Sequence, residues 1–356
     1  MQDPLGVKKI NKKITVAFVY NVRHKYPNPN DPRSQIESDF DDPETIDNMI
    51  KHLQNCNYNV IPIEANKEAY LKLYAYRKEI DIVFNFAEGI YGKDREAQLP
   101  AMLEMLQLPY TGSSPLTHAL ALHKAKTKEI LQAYNIPVLG HQIFKTGKEK
   151  LNDKFEFPVI VKPNSQGSSA GITNKSIVVN EEQLRSQVKT IVKVFKQEAL
   201  VEPYLTGREF SIGMIGNPPK ILPAIESDHD SLPDNLSKLD SLEVKWYFEE
   251  ESKNEHLICP AKITPKFKKQ LENICLAVWK ALDVHDWCRI DIRCDSNDNP
   301  YVLEINMPVG LLPPEVSTTS YLPLAARKAG IDYEELLKII INSAIKRNKS
   351  TQRYMH

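Results

Sequence analysis

The pattern of strands and helices changes once along this chain, close to the turn signal Asn135-Ile136-Pro137. Before that point, short apolar runs alternate with helical patterns, which is typical of a layered α/β domain. After it, short strands are interleaved with two long helical patterns near 181–195 and 264–282, which indicates α+β lobes. A further helical pattern covers 115–133, and we expect the basic tail after Ile345 to be a frayed end. A chain of 356 residues is too long for one ordinary core. The sequence therefore predicts two or three packed lobes, the first of them α/β.

The charges of this chain balance. Lys and Arg total 46 residues, and Asp and Glu also total 46, so no net field attracts nucleic acid or an anionic membrane. No stretch approaches the roughly 20 apolar residues of a membrane span, and the five cysteines lack the paired spacing of a metal site. We expect a cytoplasmic protein with reduced thiols, whose partners are small molecules.

Two strand patterns near the C-terminus flank the polar turn 296–300, which predicts a hairpin. Side chains alternate along a strand, so Arg289 and Asp291 should share one face, and Glu304 and Asn306 should point together. Such a face offers the oxygen ligands that Mg²⁺ prefers, and Arg289 could stabilise charge on a transferred phosphoryl group. The alternative is a solvated sheet face with incidental charges.

A lysine closes the apolar strand pattern 158–162 and precedes a segment rich in Gly and Ser, residues 164–171, which we call the Gly/Ser loop. Lys162 can stand as a fixed cation at a phosphate, and the loop can wrap that phosphate with backbone N–H groups. The segment lacks the Gly-Lys-Ser/Thr ending of a P-loop and leads into a strand-like stretch. The alternative is a flexible hairpin.

A short turn joins the strand patterns 200–205 and 207–211. Its backbone could hydrogen-bond adenine, and Glu209 could accept hydrogen bonds from ribose hydroxyls, although alone it is an ordinary strand connection. Residues 228–256 are polar and weakly periodic, which predicts a mobile loop over the site. We call them the covering segment.

In this order, the motifs resemble those of the ATP-grasp superfamily and, within it, D-alanine–D-alanine ligase, over nearly the whole chain after Asp81. The resemblance implies a three-lobe fold with α/β and α+β parts: an N-terminal Rossmann-like domain (1–115), a central lobe (116–216) and a C-terminal lobe (217–356). The matching segments are 84–85, 88–89, 109–113, 124–128, 162–171, 201–202, 208–210, 289–291, 304–306 and 325–330.

The resemblance also implies which residues bind ATP and magnesium. Two lysines would contact the phosphates, a serine the γ-phosphate, and a strand and its following turn the adenine and ribose. These residues are Lys124 and Lys162 at the phosphates, Ser169 at the γ-phosphate, Glu202 and Leu205 at adenine, Glu209 at ribose, and Asp291, Glu304 and Asn306 at Mg²⁺.

For catalysis and substrate binding, the resemblance implies a second set. Arg289 would lie at the acyl phosphate, Lys245 of the covering segment at a phosphate, and Ser320 at an amino-acid carboxylate. Ser168 is the only retained member of the family's Glu-Ser-Tyr triad. Glu88 and Arg95 stand where the family has other substrate-proximal residues, so we interpret them either as substrate contacts or as polar loop residues.

The chain departs from the family mainly where the family binds its first amino acid. The glutamate that anchors the first ammonium group is missing after the first strand, where the sequence reads 20–25 Tyr-Asn-Val-Arg-His-Lys. Lys93 replaces an acid, Trp246 replaces the loop tyrosine, and the stretch 306–320 is longer. Because Lys93 and Arg23 would face an ammonium group, we expect a donor acid other than free D-alanine, unless Glu88 replaces the anchor.

The resulting hypothesis is an ATP- and Mg²⁺-dependent ligase that activates a carboxylate as an acyl phosphate and joins it to an amine. One alternative is a relative that joins other amino acids, or an amino acid to a larger acid. Another is a nucleotide-binding module without catalysis, which the retention of Arg289 and Asp291 disfavours. The expected partners are small-molecule carboxylate and amine substrates and a second copy in a homodimer, without nucleic acid or membrane.

Overall fold

The structure is a computed structural model that describes residues 13–249 and 256–352. Within these residues the chain forms nine α-helices and thirteen β-strands. Side chains of Ser114, Asn180 and Thr264 cap three of the helices by accepting from a backbone N–H three residues on. The helices are α1 (Pro43–Asn55), α2 (Ala69–Tyr76), α3 (Gln98–Met105), α4 (Pro115–Leu122), α5 (Lys124–Ala133), α6 (Glu181–Val194), α7 (Pro265–Ala281), α8 (Tyr321–Lys328) and α9 (Tyr333–Gln352).

The first sheet is parallel, with the order β2-β1-β3. Its strands are β1 (Thr15–Tyr20), β2 (Asn59–Glu64) and β3 (Ile82–Asn85), and α1 and α2 connect them along the chain. Phe18 of β1 pairs with Phe84 of β3, and both are fully buried. The predicted layered α/β pattern at the start of the chain is confirmed.

The second sheet is antiparallel, with the order β4-β7-β5-β6. Its strands are β4 (Gln142–Phe144), β5 (Val159–Pro163), β6 (Ile177–Val178) and β7 (Ala199–Pro203). Val159 and Val161 pack with buried residues of α6. Because side chains alternate along β5, Lys162 points away from that core.

The third sheet is also antiparallel, with the order β11-β10-β8-β12-β13 and β9 beside β8. Its strands are β8 (Glu209–Ile215), β9 (Lys220–Ile221), β10 (Ile225–Ser227), β11 (Leu257–Ile258), β12 (Trp287–Cys294) and β13 (Pro300–Asn306). Ile290 and Ile292 pack against α7, so Arg289 and Asp291 face the other side of the sheet. The predicted hairpin is confirmed.

The three sheets fall in three successive parts of the chain, and the mixed α/β and α+β class is confirmed. The predicted domain boundaries stay a proposal, but the pairing of β8 bears on one of them. The boundary at 216 would place β8 in the central lobe, whereas β8 pairs with β12 of the third sheet. The sheets therefore favour ending the central lobe before Glu209.

The helical pattern predicted over 115–133 forms two helices because the chain turns at His123, where ψ is 85°. The His123 side chain then caps α5 by accepting from the N–H of Lys126. Lys124 thus stands in the first turn of α5, and its N–H donates to the carbonyl of Asn164, 3.0 Å away. This turn fixes Lys124 beside the Gly/Ser loop.

The tail after Ile345, expected to be a frayed end, continues helix α9 to Gln352. Leu336, Ile340 and Ala344 of α9 are fully buried in the core shared with the first sheet. Beyond them, Arg347 binds the carboxylate of Asp286 at 2.8 Å. The expectation was wrong because the basic residues of the tail lie on a helix that the preceding apolar residues anchor.

No helix in the described ranges is both long and apolar enough to cross a membrane.

The covering segment is described up to Glu249 and again at His256, while residues 250–255 lie outside the described part. It contains a short 3₁₀ helix (His229–Ser231) and a π-helical turn (Val244–Phe248). His229, Asp240 and Val244 are buried. The sequence predicts a mobile loop over 228–256, whereas part of this segment packs into the protein.

Candidate active site

Two neighbouring cavities lie where the three sheets meet. The small cavity, about 690 Å³, lies between the second and third sheets and is lined by residues such as Lys162, Leu205 and Glu209. The large cavity, about 2430 Å³, lies between the first domain and residues 307–321. The residues that line both cavities are Gln166, Gly167, Ser169, Lys245 and Glu304. Groups bound in the two cavities could therefore meet at this shared wall.

Two buried lysines hold one buried glutamate at the small cavity. The Nζ atoms of Lys128 and Lys162 each lie 2.7 Å from a carboxylate oxygen of Glu202. Burial alone would raise the pKa of Glu202, but the two ammonium groups lower it to about 2. Burial lowers the pKa of Lys128. With all three ionised, the cluster carries one net positive charge, which suits a phosphate.

Lys124 connects the Gly/Ser loop to β13. Its Nζ donates to the carbonyl of Gln166 and lies 3.2 Å from Oε2 of Glu304. Burial would raise the pKa of Glu304, but Lys124 and Lys162 lower it to about 2. Glu304 therefore stays ionised at the wall between the cavities.

Arg289 and Asp291 share one face, as the alternation predicted. The guanidinium of Arg289 donates two hydrogen bonds to the Asp291 carboxylate, at 2.9 and 2.8 Å. The same carboxylate accepts from Asn306 Nδ2 at 2.8 Å and from Ser211 Oγ at 2.6 Å. Burial opposes the charge of Arg289, but Asp291 raises its pKa. Ser211 was not predicted, because a lone serine on β8 carries no motif.

Strict alternation fails at one position of the hairpin. It would turn Leu303 and Ile305 to the face opposite Glu304, but the register shifts after Asp291, which pairs with Glu304 while Ile292 pairs with Val302. Leu303 is the extra residue of this β-bulge. Val302 and Ile305 are therefore the buried pair, and Leu303 lines the small cavity.

The side chains on this face fit a magnesium ion by their chemistry and register. Asp291 and Glu304 are direct cross-strand partners, and Asn306 stands opposite Arg289. Their carboxylate and amide oxygens are the hard ligands that Mg²⁺ takes in proteins. Asn306 uses its Nδ2 toward Asp291, which leaves its amide oxygen for a metal ion.

The Gly/Ser loop has an unusual backbone that the covering segment holds. Ser168 and Ser169 adopt positive φ of 45° and 57°, which is uncommon outside glycine. Ser169 Oγ donates to the carbonyl of Asp240 at 2.7 Å, and Trp246 Nε1 donates to the carbonyl of Ser168 at 3.3 Å. A Cβ on Gly167 would lie 2.6 Å from a side-chain oxygen of Asp39, so the loop backbone approaches the first domain closely at this glycine. The loop is thus held between the covering segment and the first domain.

Asp240 is a buried centre of the covering segment that the sequence did not reveal. Its carboxylate accepts from His229 Nε2 at 2.8 Å, from Ser227 Oγ at 3.1 Å and from the Tyr321 hydroxyl at 3.1 Å. Lys245 Nζ lies 3.9 Å away. Burial would raise the pKa of Asp240, but the His229 hydrogen bond and the Lys245 charge lower it. Asp240 therefore positions Lys245 at the shared wall.

Glu209 lies beside Asp240 and His229, and these three side chains could geometrically share a cation. Arg293 already supplies a positive charge, with its guanidinium 2.9 Å from the Glu209 carboxylate. With Lys245 also close to Asp240, the group needs no metal ion. Glu209 and Leu205 line the small cavity, as a nucleotide site requires.

The three predicted substrate residues are placed differently. Glu88 and Ser320 line the large cavity. The Ser320 hydroxyl also accepts from the N–H of Leu312 at 3.1 Å, which closes the loop before α8. Arg95 lines neither cavity: it pairs with Asp39 and donates to the carbonyl of Ser165 at 3.1 Å. Arg95 thus connects Asp39 of the first domain to the Gly/Ser loop without lining a cavity.

The structure contradicts the expected effect of Lys93. Its ammonium group lies 3.5 Å from Glu198 at the surface and lines neither cavity. Arg23 does line the large cavity, but it pairs with Asp42 and lies 4.6 Å from the Trp246 ring centre. Of the two cations expected to face the donor ammonium group, only Arg23 therefore borders the cavity, and its charge is paired with Asp42.

Comparisons with known proteins agree with this geometry. A family model described as "D-ala D-ala ligase C-terminus" matches residues 129–342. A protein of Sinorhizobium fredii, "Uncharacterized protein y4sG", is 34% identical and covers 90% of this chain and 91% of its own length. D-alanine–D-alanine ligase A of Bacillus cereus is 31% identical, with 85% and 92% covered. The crystal structure of D-alanine–D-alanine ligase from Bacillus anthracis with ATP aligns with a TM-score of 0.71 at 25% identity, covering 95% of this chain and 99% of that one.

Proposed function

Because this chain belongs to the D-alanine–D-alanine ligase family, whose members are ATP-grasp ligases, we propose that it joins the carboxylate of one amino acid to the amine of another. The chain is an ATP-dependent ligase that uses Mg²⁺ and acts on small molecules. The observation that carries the proposal is the shared wall, where Lys245 and Glu304 border both cavities. ATP in the small cavity would there present its γ-phosphate to a carboxylate in the large one.

Charged groups around this wall can stabilise phosphoryl transfer. Lys124 and Lys162 would neutralise the phosphates, and the net charge of the Lys128–Glu202–Lys162 cluster adds to that field. Arg289 is fixed by its two hydrogen bonds to Asp291, so it is oriented before substrate binds. It is placed to bind oxygens of the acyl phosphate. An amine held near Ser320 would then attack the carboxyl carbon of the acyl phosphate, so that the C–N bond forms as phosphate leaves and the nitrogen gives up a proton.

Asp291, Glu304 and Asn306 would hold magnesium at the wall. When bound there, Mg²⁺ neutralises charge on the bridging phosphate oxygens and orients the transferred group. The hairpin register, which pairs Asp291 with Glu304 and Arg289 with Asn306, supports this assignment. Lys124 pairs with Glu304 and thereby links the metal ligand to the phosphate-binding helix end.

The covering segment supports a closed site. Lys245 sits between Asp240 and the shared wall, and Trp246 contacts the Gly/Ser loop through Ser168. The Tyr26 hydroxyl donates to the carbonyl of Trp246 at 3.1 Å, which connects the segment to the first domain. Such closure protects an acyl phosphate from water.

A second candidate is a ligase of the same kind with a larger donor acid. Residues 307–320, part of the stretch that is longer than its counterpart in the family, line much of the large cavity and could contact a larger donor. The expected exclusion of free D-alanine keeps the missing anchor after β1 as its support, but not Lys93, which lies outside the cavity. A cytoplasmic location and a homodimer stay proposals from the sequence.

A phosphate-release screen tests the proposal. The protein with ATP and Mg²⁺ is mixed with pairs of D- and L-amino acids and with small or peptide-like acids plus an amino acid. We expect release of phosphate and ADP with matching formation of a peptide bond, detected by mass spectrometry. The proposal is wrong if every active pair forms a product without a new amide bond.

A further inference from the structure

One buried histidine lies between two carboxylates, next to the large cavity. His52 of α1 has its Nδ1 2.7 Å from a carboxylate oxygen of Glu334 on α9 and its Nε2 3.0 Å from a carboxylate oxygen of Glu315. Glu315 belongs to residues 310–320, most of which line the large cavity and which we call the cavity loop. His52 thus connects the first domain and the C-terminal helix to a loop that borders the candidate substrate site.

The geometry defines the charge of His52. An ionised carboxylate only accepts hydrogen bonds, so both ring nitrogens must donate, and a ring with two N–H groups is the imidazolium cation. Burial alone would lower the pKa of His52, but the hydrogen bonds to Glu315 and Glu334 raise it above its usual 6.5. The neutral ring has one N–H group, so it can donate to only one of the two carboxylates.

Glu315 is the more weakly held of the two partners. Its side chain is 54% exposed, against 31% for that of Glu334, and its distance from the ring is the longer one. The single N–H group of a neutral ring therefore stays with Glu334. Loss of the proton releases Glu315 and with it the cavity loop.

Few other contacts hold the outer part of the cavity loop. Its base is fixed, because Leu311 is fully buried and its carbonyl accepts from the Tyr333 hydroxyl at 2.6 Å. Among the described residues, hydrogen bonds or ion pairs from other elements reach 313–319 at two points. They are the His52 contact with Glu315 and the bond from Arg327 to the carbonyl of Thr318. A guanidinium stays charged, so only the His52 contact changes near neutral pH.

The titratable groups that face His52 belong to three elements. Glu334 and Tyr333 begin α9, and the Tyr333 ring meets the imidazole edge to face at 4.7 Å. Glu315 comes from the cavity loop, and Cys56 follows α1 with its Sγ donating to the carbonyl of Glu334. Burial raises the pKa of Cys56 to about 11 and that of Tyr333 well above its usual value, so both stay neutral while His52 titrates. The charged groups that act on Tyr333 or Cys56 from further out are Asp41, Asp332 and Lys338.

Resting on the proposed function, in which the large cavity holds a substrate, we propose that His52 is a positioning residue of this cavity. It lines neither cavity itself and acts through Glu315. The imidazolium holds the cavity loop in place, and the neutral ring lets it loosen. Because the folded protein raises the pKa of His52, this stabilisation is full below pH 6.5 and is lost as the pH rises through the raised value.

Hydrogen exchange tests the loop without any substrate. Exchange of the backbone amides of 310–320 is measured by mass spectrometry on the full-length protein at pH about 6 and about 9, with correction for the intrinsic effect of pH on exchange. The wild type should lose at least about tenfold of its protection at the higher pH, because a hydrogen bond between charged groups is lost. Glu315→Ala should show the lower protection at both pH values.

Glu315→Gln separates a titrating contact from a merely structural one. The amide oxygen of glutamine accepts from a charged ring and its NH₂ group donates to a neutral ring, so the contact with His52 survives in both states. Protection of the loop should therefore change by less than about twofold between the two pH values. His24→Gln is the matched control, because exposed His24 pairs with Glu37 and lines neither cavity. It should keep the pH dependence of the wild type, and thermal unfolding verifies that each variant is folded.

Kinetics tests the consequence for the site. With a pair found active by phosphate release, Glu315→Ala should raise the KM of an amino-acid or acid substrate at least about fivefold and leave the KM for ATP within about twofold. Protection of the loop that is independent of pH in the wild type, or that keeps the wild-type pH dependence in Glu315→Gln, overturns the role of His52 while ligation stands. Unchanged substrate KM in Glu315→Ala overturns it as well. Absence of turnover with every pair counts against the ligase function alone, and the exchange result then decides the role of His52.

Discussion

The hydroxyl of Tyr321 donates a 3.1 Å hydrogen bond to the carboxylate of Asp240. This contact joins the start of α8 to the covering segment, next to the predicted phosphate contact Lys245. The segment is thereby attached to the body of the protein at the shared wall. Asp240 is consequently a positioning residue whose removal should affect closure before it affects the fold.

Asp240→Asn should impair the closed state. The change leaves His229 and Lys245 without their buried counter-charge, so we expect kcat to fall about tenfold or more. Residues 228–249 should also be cleaved faster by protease in the presence of Mg²⁺ and nucleotide. Asp230→Asn is the control, since exposed Asp230 in the same segment pairs with Lys238. Wild-type cleavage rates in Asp240→Asn would contradict the positioning role.

Glu304→Gln should abolish turnover and leave the fold intact. The variant keeps the shape of the side chain but removes a negative oxygen ligand, which should cost several kcal/mol, about 3–5, of transition-state stabilisation. Steady-state phosphate release and circular dichroism measure the two effects. Surface residue Glu272 provides the control variant Glu272→Gln. Near-normal turnover at ordinary magnesium would remove Glu304 from the metal site.

Glu202→Gln should destabilise the protein. Two buried lysines would lose their shared carboxylate, and breaking a buried ion pair costs about 3–5 kcal/mol. Denaturant unfolding at neutral pH measures the loss. Lys126→Met, on the exposed side of α5, is the control. Since the pKa of Glu202 falls from 4.5 to about 2 in the folded state, its stabilisation is complete above pH 4.5 and is lost as the pH falls toward 2. Unchanged stability in Glu202→Gln would show that the cluster contributes nothing net.

Arg347→Ala should loosen the attachment of the C-terminal helix. Arg347 donates to the carbonyls of Tyr110 and Gly112 at 2.9 and 3.0 Å and pairs with buried Asp286. Hydrogen bonds to a charged group contribute about 1.5–3 kcal/mol, so unfolding free energy should drop by that amount. Lys346→Ala, at an exposed neighbour, should leave stability unchanged. A similar loss in both variants would show that the contact with Asp286 is not what attaches the helix.

Much of the fold could be predicted because its elements are local patterns. The apolar runs that form β1, β5 and β12 and the helical periodicity of α6 and α7 are visible in the sequence. The break at His123 was not visible, because the residues on both sides favour a helix. The continuation of α9 beyond Ile345 was not predicted, because the residues there are mostly basic or polar and the apolar residues that anchor the helix precede them.

The site was predictable where side chains follow strand alternation, as for Arg289 and Asp291. It was not predictable where contacts join distant segments. Asp240 and His52 gain their surroundings from elements far apart in the chain, and Lys93 is drawn to Glu198 by a contact that no spacing indicates. Lys128 was partly predictable, because it lies four residues after Lys124 and therefore on the same face of α5.

The bulge at Leu303 constrains how this hairpin can change during evolution. One extra residue turns Leu303 into the small cavity and leaves Glu304 opposite Asp291, so two successive side chains serve the site. Deleting Leu303 would restore regular alternation, with Val302 still opposite Ile292 and Glu304 still opposite Asp291, and many apolar residues could replace Leu303. Relatives should therefore vary at this position, in side chain or by its loss, without moving Glu304 from the face it shares with Asp291.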